Sequence, residues 1–200
     1  MSGIQKYKGH TIEIKHDDNP ESPREWENIC IFHIAHSKYS FGDENYQSFQ
    51  GIETARNKAI RNRDIVLPLY MYDHGGITIS LTPFSCPFDS GQVGFVSVPR
   101  KRMLSEYSKK IFTPKLKARA LEIVEHELAT LDSFLRGEVY GYTVDDEDSC
   151  WGFYGEEDAI AEAKGEIDYT VKDNTIKHYK KIKMWIKNHV PLYARTALEA

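Results

Sequence analysis

The chain has 200 residues, of which 40% are hydrophobic, and a chain of this length can bury a core without disulfides or metals. Its 30 acidic and 26 basic side chains give a formal net charge of −4, which argues against nonspecific binding to nucleic acid or to an anionic membrane. Cys30, Cys86 and Cys150 are far apart and form no CxxC pair, so neither a disulfide framework nor a thiolate zinc site is expected. With no export leader and no run of about twenty apolar residues, the sequence predicts a cytoplasmic protein without a membrane span.

The first half of the chain predicts strands and one short helix. Apolar residues at helical spacing predict a helix over residues 51–62. Gly75 and Gly76 permit the positive φ of a tight turn, so the strands on either side should form an antiparallel hairpin. Pro68 cannot donate a ladder hydrogen bond, which places it at a sheet edge or a bulge. The predicted strands are residues 11–15, 29–36, 66–72, 77–81 and 93–98.

The second half predicts a long helix, a second hairpin and terminal helices. The long helix should begin at Thr113, with Pro114 at its first position, and end before Gly137. This order lacks the strand and helix alternation of a doubly wound sheet. We therefore predict one mostly antiparallel α+β domain over residues 1–200, in which residues 170–200 form a C-terminal basic helix and tail. The other predicted elements are strands 138–144 and 149–154 and helices 156–164 and 175–188.

The segment PFSCPFDSGQVGF, residues 83–95, supports two hypotheses. Cys86 would be a catalytic nucleophile if His74 served as its base and Asp73 or Asp89 oriented that base. Alternatively, Asp89 and Ser90 bond nearby backbone amides and make a rigid loop whose amides face a ligand. Each hypothesis has a purely structural alternative. Cys86 could be a packed or turn-capping residue, since free cysteines are commonly buried. The loop could be a turn without a ligand, since such turn chemistry is common.

Metal and cofactor motifs are missing from the sequence. His33 and His36 do not share a strand face, so a metal site would need distant ligands such as His74 and Asp89. No ligand spacing typical of zinc occurs, and neither does a P-loop, GxGxxG, GxSxG or HExxH. We predict no metal and no cofactor.

The segment GEVYGYTVDDEDSCWGFYG, residues 137–155, is rich in aromatic residues. Because alternate strand residues share a face, Tyr140 should align with Tyr142, and Trp151 with Phe153. Such a ladder either packs as ordinary sheet structure or stacks on a flat ligand.

Charge is divided along the C-terminal part of the chain. Residues 145–168 carry ten carboxylates and one lysine, whereas residues 172–187 carry six lysines around an apolar stripe. These two runs could pair within the fold, the basic run could meet an acidic partner or nucleic acid, or both could be solvated faces. The stripe consists of Ile176, Tyr179, Ile182 and Ile186.

Five motifs occur in one order over about two thirds of the chain: SPREWEN (22–28), LPLYMYDHGGITIS (67–80), PFSCPFDSGQVGF (83–95), LRGEVYGY (135–142) and DSCWGFYG (148–155). Together they resemble a family of proteins encoded by bacteriophages and mobile elements of bacteria and archaea. Phe88 stands where the family has tryptophan, and residues 29–43 match the family loosely. The resemblance implies a small accessory protein and assigns no catalytic residue.

We therefore expect a viral or mobile-element accessory protein that acts by binding in the host cytoplasm, against a host defence. Its partner would be a host protein or a small nucleotide signal, and a homo-oligomer is possible. The site should form where the 73–76 turn, the 86–92 loop and the 148–154 strand meet. The expected ligand-binding residues are Asp73, His74, Asp89, Ser90, Gln92, Tyr140, Asp148, Trp151 and Tyr154.

Two alternatives belong to other classes. One is a hydrolase or transferase with Cys86 or Cys150 as nucleophile and His74 as base. The other is a scaffold component in which these motifs are all buried.

Overall fold

The structure, a computed structural model, describes residues 3–191. Strands and helices in this part of the chain form two compact units. One unit comprises residues 17–139, and the other comprises the chain up to His16 and from Tyr140 onwards. The strands are β1 (Gly3–Tyr7), β2 (His10–His16), β3 (Ile31–Ile34), β4 (Glu44–Asn45), β5 (Ile65–Asp73), β6 (Ile77–Ser80), β7 (Ser90–Val98), β8 (Tyr140–Val144) and β9 (Asp148–Phe153). The helices are α1 (Phe49–Arg61), α2 (Arg100–Glu106), α3 (Pro114–Leu135) and α4 (Glu156–His189).

The unit formed by residues 17–139 contains a five-stranded sheet in the order β4-β3-β7-β5-β6. All its strand pairs are antiparallel except β3 with β4. Pro68 lies on β5 beyond the end of β6, one residue before a bulge between Leu69 and Tyr70. Its missing N–H therefore leaves no gap in the ladder toward β6, as the sequence predicts.

Helices cover both faces of this sheet. On β7, Val96 packs into the larger core with Ala120 and Val124 of α3. The adjacent residue, Phe95, points to the other face and packs against Ile52 of α1. The sheet is therefore enclosed between α3 and α1.

The second unit contains a four-stranded antiparallel sheet in the order β1-β2-β8-β9. One face of this sheet packs against the first part of α4 through small and aliphatic helix residues. The core consists of Ile12, Ile14, Tyr142, Val144, Ala159, Ala163 and Ile167. None of the helices within residues 3–191 carries the long apolar stretch that crossing a lipid bilayer requires.

The α+β class and the mostly antiparallel strand pairing are confirmed. The helix α3 begins at the predicted cap, where the Thr113 side chain accepts a hydrogen bond from the Leu116 backbone N–H, and Gly137 follows its end with φ of +71°. That residues 1–200 form a single domain stays a prediction. Residues 192–200 of the predicted basic helix and tail lie outside the described residues.

Several predicted boundaries are wrong, and two of them change an element substantially. The predicted helices 156–164 and 175–188 are one continuous helix, α4, because Gly165 lowers helix propensity by only about 1 kcal/mol and no proline interrupts the pattern. β7 begins at Ser90 rather than residue 93, since Ser90, Gly91 and Gln92 already pair with β5.

Candidate functional site

The 73–76 turn and the loop before β7 lie side by side at one end of the five-stranded sheet. Tyr72 on β5 pairs with Ser90 on β7, and the Asp73 backbone N–H donates to the Asp89 carbonyl oxygen over 2.9 Å. The strand pairing thus brings together two of the three segments that the sequence singles out. The third segment, residues 148–154, belongs to the other unit.

Asp89 joins the polar side chains of this turn and loop. Its Oδ2 atom lies 3.3 Å from His74 Nδ1, and the Cys86 thiol donates to the same oxygen over 3.8 Å. The Ser90 hydroxyl donates to the Cys86 carbonyl oxygen, which closes the loop on itself. Asp89 therefore holds His74 and Cys86 in one exposed cluster.

This geometry gives the nucleophile hypothesis little support. An activated thiolate needs an adjacent base or cation. The Cys86 thiol donates to a carboxylate oxygen of Asp89, and His74 Nδ1 lies 3.3 Å from that same oxygen. Of the other cysteines, Cys30 is buried and Cys150 is exposed. Burial raises the pKa of the Cys30 thiol.

Asp73 faces a different set of partners. The Tyr39 hydroxyl donates to Asp73 Oδ2 over 2.8 Å, and Lys38 Nζ lies 3.5 Å from the same oxygen. The Tyr39 hydrogen bond, aided by Lys38, lowers the pKa of the Asp73 carboxyl. Asp73 is thus an ionised anchor for residues 38 and 39.

Gln92 lines a pocket of about 310 Å³ between α1 and β7. Its side-chain amide donates to the Gly94 carbonyl oxygen over 3.1 Å, while its side-chain oxygen accepts no hydrogen bond from the described residues. One polar group of Gln92 is therefore left for a ligand. The full lining is Ala35, Phe49, Ile52, Glu53, Arg56, Gln92, Val93, Gly94 and Phe95.

The mouth of this pocket carries an aromatic ring and two charges. Phe49, at the first position of α1, is 76% exposed. Glu53 and Arg56 are exposed on the same helix and form no ion pair within residues 3–191. An exposed aromatic ring beside unpaired charges is typical of a surface that binds a ligand.

A buried hydrogen-bonded chain supports the pocket wall. His33 stacks on Phe95 with 4.2 Å between ring centroids. His33 Nε2 lies 3.0 Å from the Ser97 hydroxyl, and its Nδ1 lies 3.0 Å from the Tyr46 hydroxyl. Burial lowers the pKa of His33 to about 4, so the ring is neutral near pH 7.

The aromatic residues in the other unit are arranged differently from the sequence prediction. Trp151 and Phe153 do not share a face, because Gly152 forms a bulge with φ of +86° and shifts the register between β8 and β9. Phe153 pairs with Tyr140, whereas Trp151 covers Gly141, where a Cβ atom would lie 2.2 Å from the indole ring.

The remaining predicted residues of that unit surround this strand pair. The Tyr140 ring packs against His16 at a tilt of 34°, with 4.6 Å between ring centroids. Asp148 is exposed at the start of β9, and Tyr154 is half-buried just after its end. Ligand-binding roles for Tyr140, Asp148, Trp151 and Tyr154 stay predictions.

Phe49 and Arg56 are residues that the sequence interpretation did not single out. The predicted helix begins at residue 51, so it does not include Phe49, whereas α1 begins at Phe49. The missed signal is Ser48, a favoured N-cap residue whose hydroxyl accepts a hydrogen bond from the Gly51 N–H. A helix that starts after Ser48 includes both Phe49 and Arg56. Their spacing of seven residues then places them on one face of the helix.

Within residues 3–191, no group of three or more His, Cys, Asp or Glu side chains is arranged to hold a metal ion. No protein-family model matches the chain, and no match is found among the curated proteins or the solved structures.

Proposed function

We propose that this protein acts by binding a small ligand that combines a planar ring with an anionic group, the chemistry of a nucleotide. The α1–β7 pocket is its binding site. The observation that carries the proposal is the pocket mouth, where exposed Phe49, unpaired Arg56 and the free side-chain oxygen of Gln92 surround a partly apolar cavity.

The ring of the ligand would stack on Phe49. A phenylalanine that is 76% exposed gains contact area when a flat ring covers it, and base stacking on aromatic side chains contributes about 1–3 kcal/mol. Ile52 and Phe95 are both buried at the pocket and supply its apolar floor. The Gln92 oxygen would accept a hydrogen bond from a ring amino group.

The anionic group of the ligand would bind Arg56. A guanidinium group binds phosphate through paired hydrogen bonds, and Arg56 has no carboxylate partner to displace within the described residues. Glu53 would accept hydrogen bonds from hydroxyl groups such as those of a ribose. The volume of the pocket, about 310 Å³, limits the size of the ligand. It suits a mononucleotide or one nucleotide of a larger ligand.

The biological setting of the proposal comes from the motif resemblance. Accessory proteins of bacteriophages and mobile elements act in a host cell, and a host defence that signals through nucleotides is weakened when its signal is sequestered. We therefore place this binding in the host cytoplasm as an anti-defence activity. The turn and loop around Asp89 lie at the sheet end where Gln92 begins to line the pocket, and they hold β7 in place.

The test is titration calorimetry with a panel of purine and pyrimidine mononucleotides and cyclic dinucleotides. We expect one panel member to bind, and we expect Phe49→Ala and Arg56→Ala each to weaken that binding by about tenfold or more. Matched controls are Phe88→Ala, which removes a ring that is 93% exposed outside the pocket, and Arg61→Ala at the end of α1. Both controls should bind as the wild type does.

Native mass spectrometry of the mixtures separates capture from turnover. An intact ligand mass on the protein supports the proposal, whereas conversion of the ligand would replace it with an enzymatic function. If the ligand still binds after the Phe49→Ala and Arg56→Ala changes, its binding site lies outside this pocket. Failure of the whole panel to bind would refute the nucleotide chemistry.

A further inference from the structure

The distal part of α4, residues 168–189, contains no buried side chain. The last fully buried residue of this helix is Ile167, which packs on the four-stranded sheet. Beyond it the helix continues for about 30 Å, at 1.5 Å per residue. The exposed large side chains are Tyr169, Val171, Ile176, Tyr179, Ile182, Met184 and Trp185.

A helix segment of this kind needs a packing partner. Isolated helices are marginally stable in water, and most helix stability in proteins comes from burying an apolar face. Ile176, Tyr179 and Ile182 lie along one side of the distal half, and Tyr179 is 70% exposed. A surface this apolar is typical of an interaction site.

Charge divides α4 into two halves of opposite sign. Residues 156–168 carry six carboxylates and one lysine, whereas residues 172–187 carry six lysines and one aspartate. Several of these charged side chains have no ion-pair partner in the part of the chain that the structure describes. Glu157, Asp158 and Glu162 form no ion pair within residues 3–191, and neither do Lys180 and Lys183.

We propose that a second copy of this chain covers the distal half of α4, through antiparallel pairing of the two α4 helices. Pairing centred between Lys172 and Asp173 places the acidic half of each helix along the basic half of the other. In this register Lys183 of one copy lies opposite Glu162 of the other.

The shapes of the two halves are complementary as well. Ala161 precedes Tyr179 by about five helical turns, so both lie on the same side of α4. Gly165 precedes Ile176 by about three turns and shares that side. Both small residues are exposed. In this register Tyr179 of one copy lies opposite Glu166 of the other, beside Gly165, where the missing side chain leaves room for the tyrosine ring.

Charge also decides between this partner and others. A parallel pair would bring like charges together along the whole helix. An anionic membrane would attract the six lysines but would be repelled by the six carboxylates of the same helix. Only an antiparallel copy of α4 matches both halves at once.

The test is sedimentation equilibrium of the full chain at two salt concentrations. We expect a dimer in 50 mM salt whose dissociation constant rises by about tenfold or more in 500 mM salt, because salt screens exposed charges. One variant carries Lys172→Glu, Lys180→Glu and Lys183→Glu, and the other carries Glu157→Lys, Asp158→Lys and Glu162→Lys. Each should be a monomer alone, and an equimolar mixture should form a heterodimer.

The heterodimer distinguishes lost pairing from lost folding. A matched control, Lys101→Glu, Lys109→Glu and Lys115→Glu, makes the same charge change on exposed residues of the other unit and should remain a dimer. A wild-type monomer in 50 mM salt would overturn the proposal. So would two variants that stay monomeric when mixed, or a wild-type monomer that sediments with phosphatidylglycerol vesicles.

Discussion

His33 is buried to 8% exposure and bonds through both ring nitrogens, so its protonation state affects the folded protein directly. A proton on the ring would leave both nitrogens as donors, toward the hydroxyl groups of Ser97 and Tyr46. Those hydroxyl groups can accept, but the charge itself would lie in an apolar wall beside Phe95. Desolvation of that charge is the main cause of the low pKa of His33.

We predict that His33 makes the protein sensitive to acid between pH 6.5 and pH 4. Its pKa is about 4 in the folded protein against an ordinary 6.5, so within this range the unfolded chain takes up a proton that the folded chain does not. Stability therefore falls as the pH falls, by about 2 to 3 kcal/mol from this residue. Urea unfolding of the wild type and of His33→Gln, at pH 7 and at pH 4, measures the difference.

The His33→Gln variant should lose the acid sensitivity that comes from His33. The free energies of unfolding of wild type and variant should therefore differ less at pH 4 than at pH 7. His126→Gln is the matched control, since it removes an exposed histidine on α3. It should keep the wild-type acid sensitivity. If the free energies of unfolding of wild type and His33→Gln differ by the same amount at pH 7 and at pH 4, His33 has the same pKa in the folded protein and in the unfolded chain, and the prediction is wrong.

At the scale of elements, Arg24 connects the short 3-10 turn Pro23–Glu25 to a strand and a helix. Its guanidinium group lies 2.9 Å from both Asp43 Oδ2 and Glu127 Oε2, and it donates to the Cys30 carbonyl oxygen. Glu127, on α3, accepts from the backbone N–H groups of Ile29 and Cys30. One arginine thus completes the contacts between the turn, the start of β3 and α3.

We predict that Arg24→Ala lowers the free energy of unfolding by about 3 kcal/mol. The change leaves the carboxylates of Asp43 and Glu127 without their cation, and removing one partner from a buried ion pair is costly. Arg119→Ala is the control, because the Arg119–Glu122 pair is more than half exposed and should contribute less than about 1 kcal/mol. Urea denaturation compares the two, and a loss at Arg24 as small as that at Arg119 would contradict the role of this network.

The sequence predicts elements best where a local signal marks them. Thr113, Pro114 and Gly137 define α3 by capping chemistry, and Gly75 with Gly76 defines the β5–β6 hairpin. β4 has only two residues, Glu44 and Asn45, and forms through its pairing with β3. No local pattern encodes such a pairing.

The candidate site is less predictable because it depends on strand register. The pairing of Tyr72 with Ser90 brings the two loop motifs together, and neither motif predicts this pairing. The Gly152 bulge, which separates Trp151 from Phe153, is equally hidden, since glycine within a strand indicates either a bulge or a close contact. The sequence predicts Gln92 in a loop, whereas the structure has it in β7, from which it lines the pocket.

At the scale of the whole molecule, residues 17–139 are an insertion between two neighbouring strands of the other unit. β2 ends at His16, β8 begins at Tyr140, and these two residues are antiparallel partners. The ends of the insertion also meet, because the Asp17 backbone N–H donates to the Val139 carbonyl oxygen over 2.8 Å. A unit with adjoining ends and its own core has what independent folding requires.

We predict that a fragment of residues 17–139 folds alone and unfolds cooperatively in urea. Its helices α3 and α1 bury apolar cores on the two faces of its sheet, and none of its five strands pairs with a strand of the other unit. The measurement is the dispersion of amide proton shifts together with a urea transition followed by circular dichroism. A shorter fragment, residues 30–139, lacks Arg24 and should be less stable than the 17–139 fragment by about 3 kcal/mol or more, because Asp43 and Glu127 lose their cation. A disordered 17–139 fragment would mean that the core of this unit depends on the rest of the chain. A folded one that still binds the ligand of the α1–β7 pocket would place the whole binding function in the insertion.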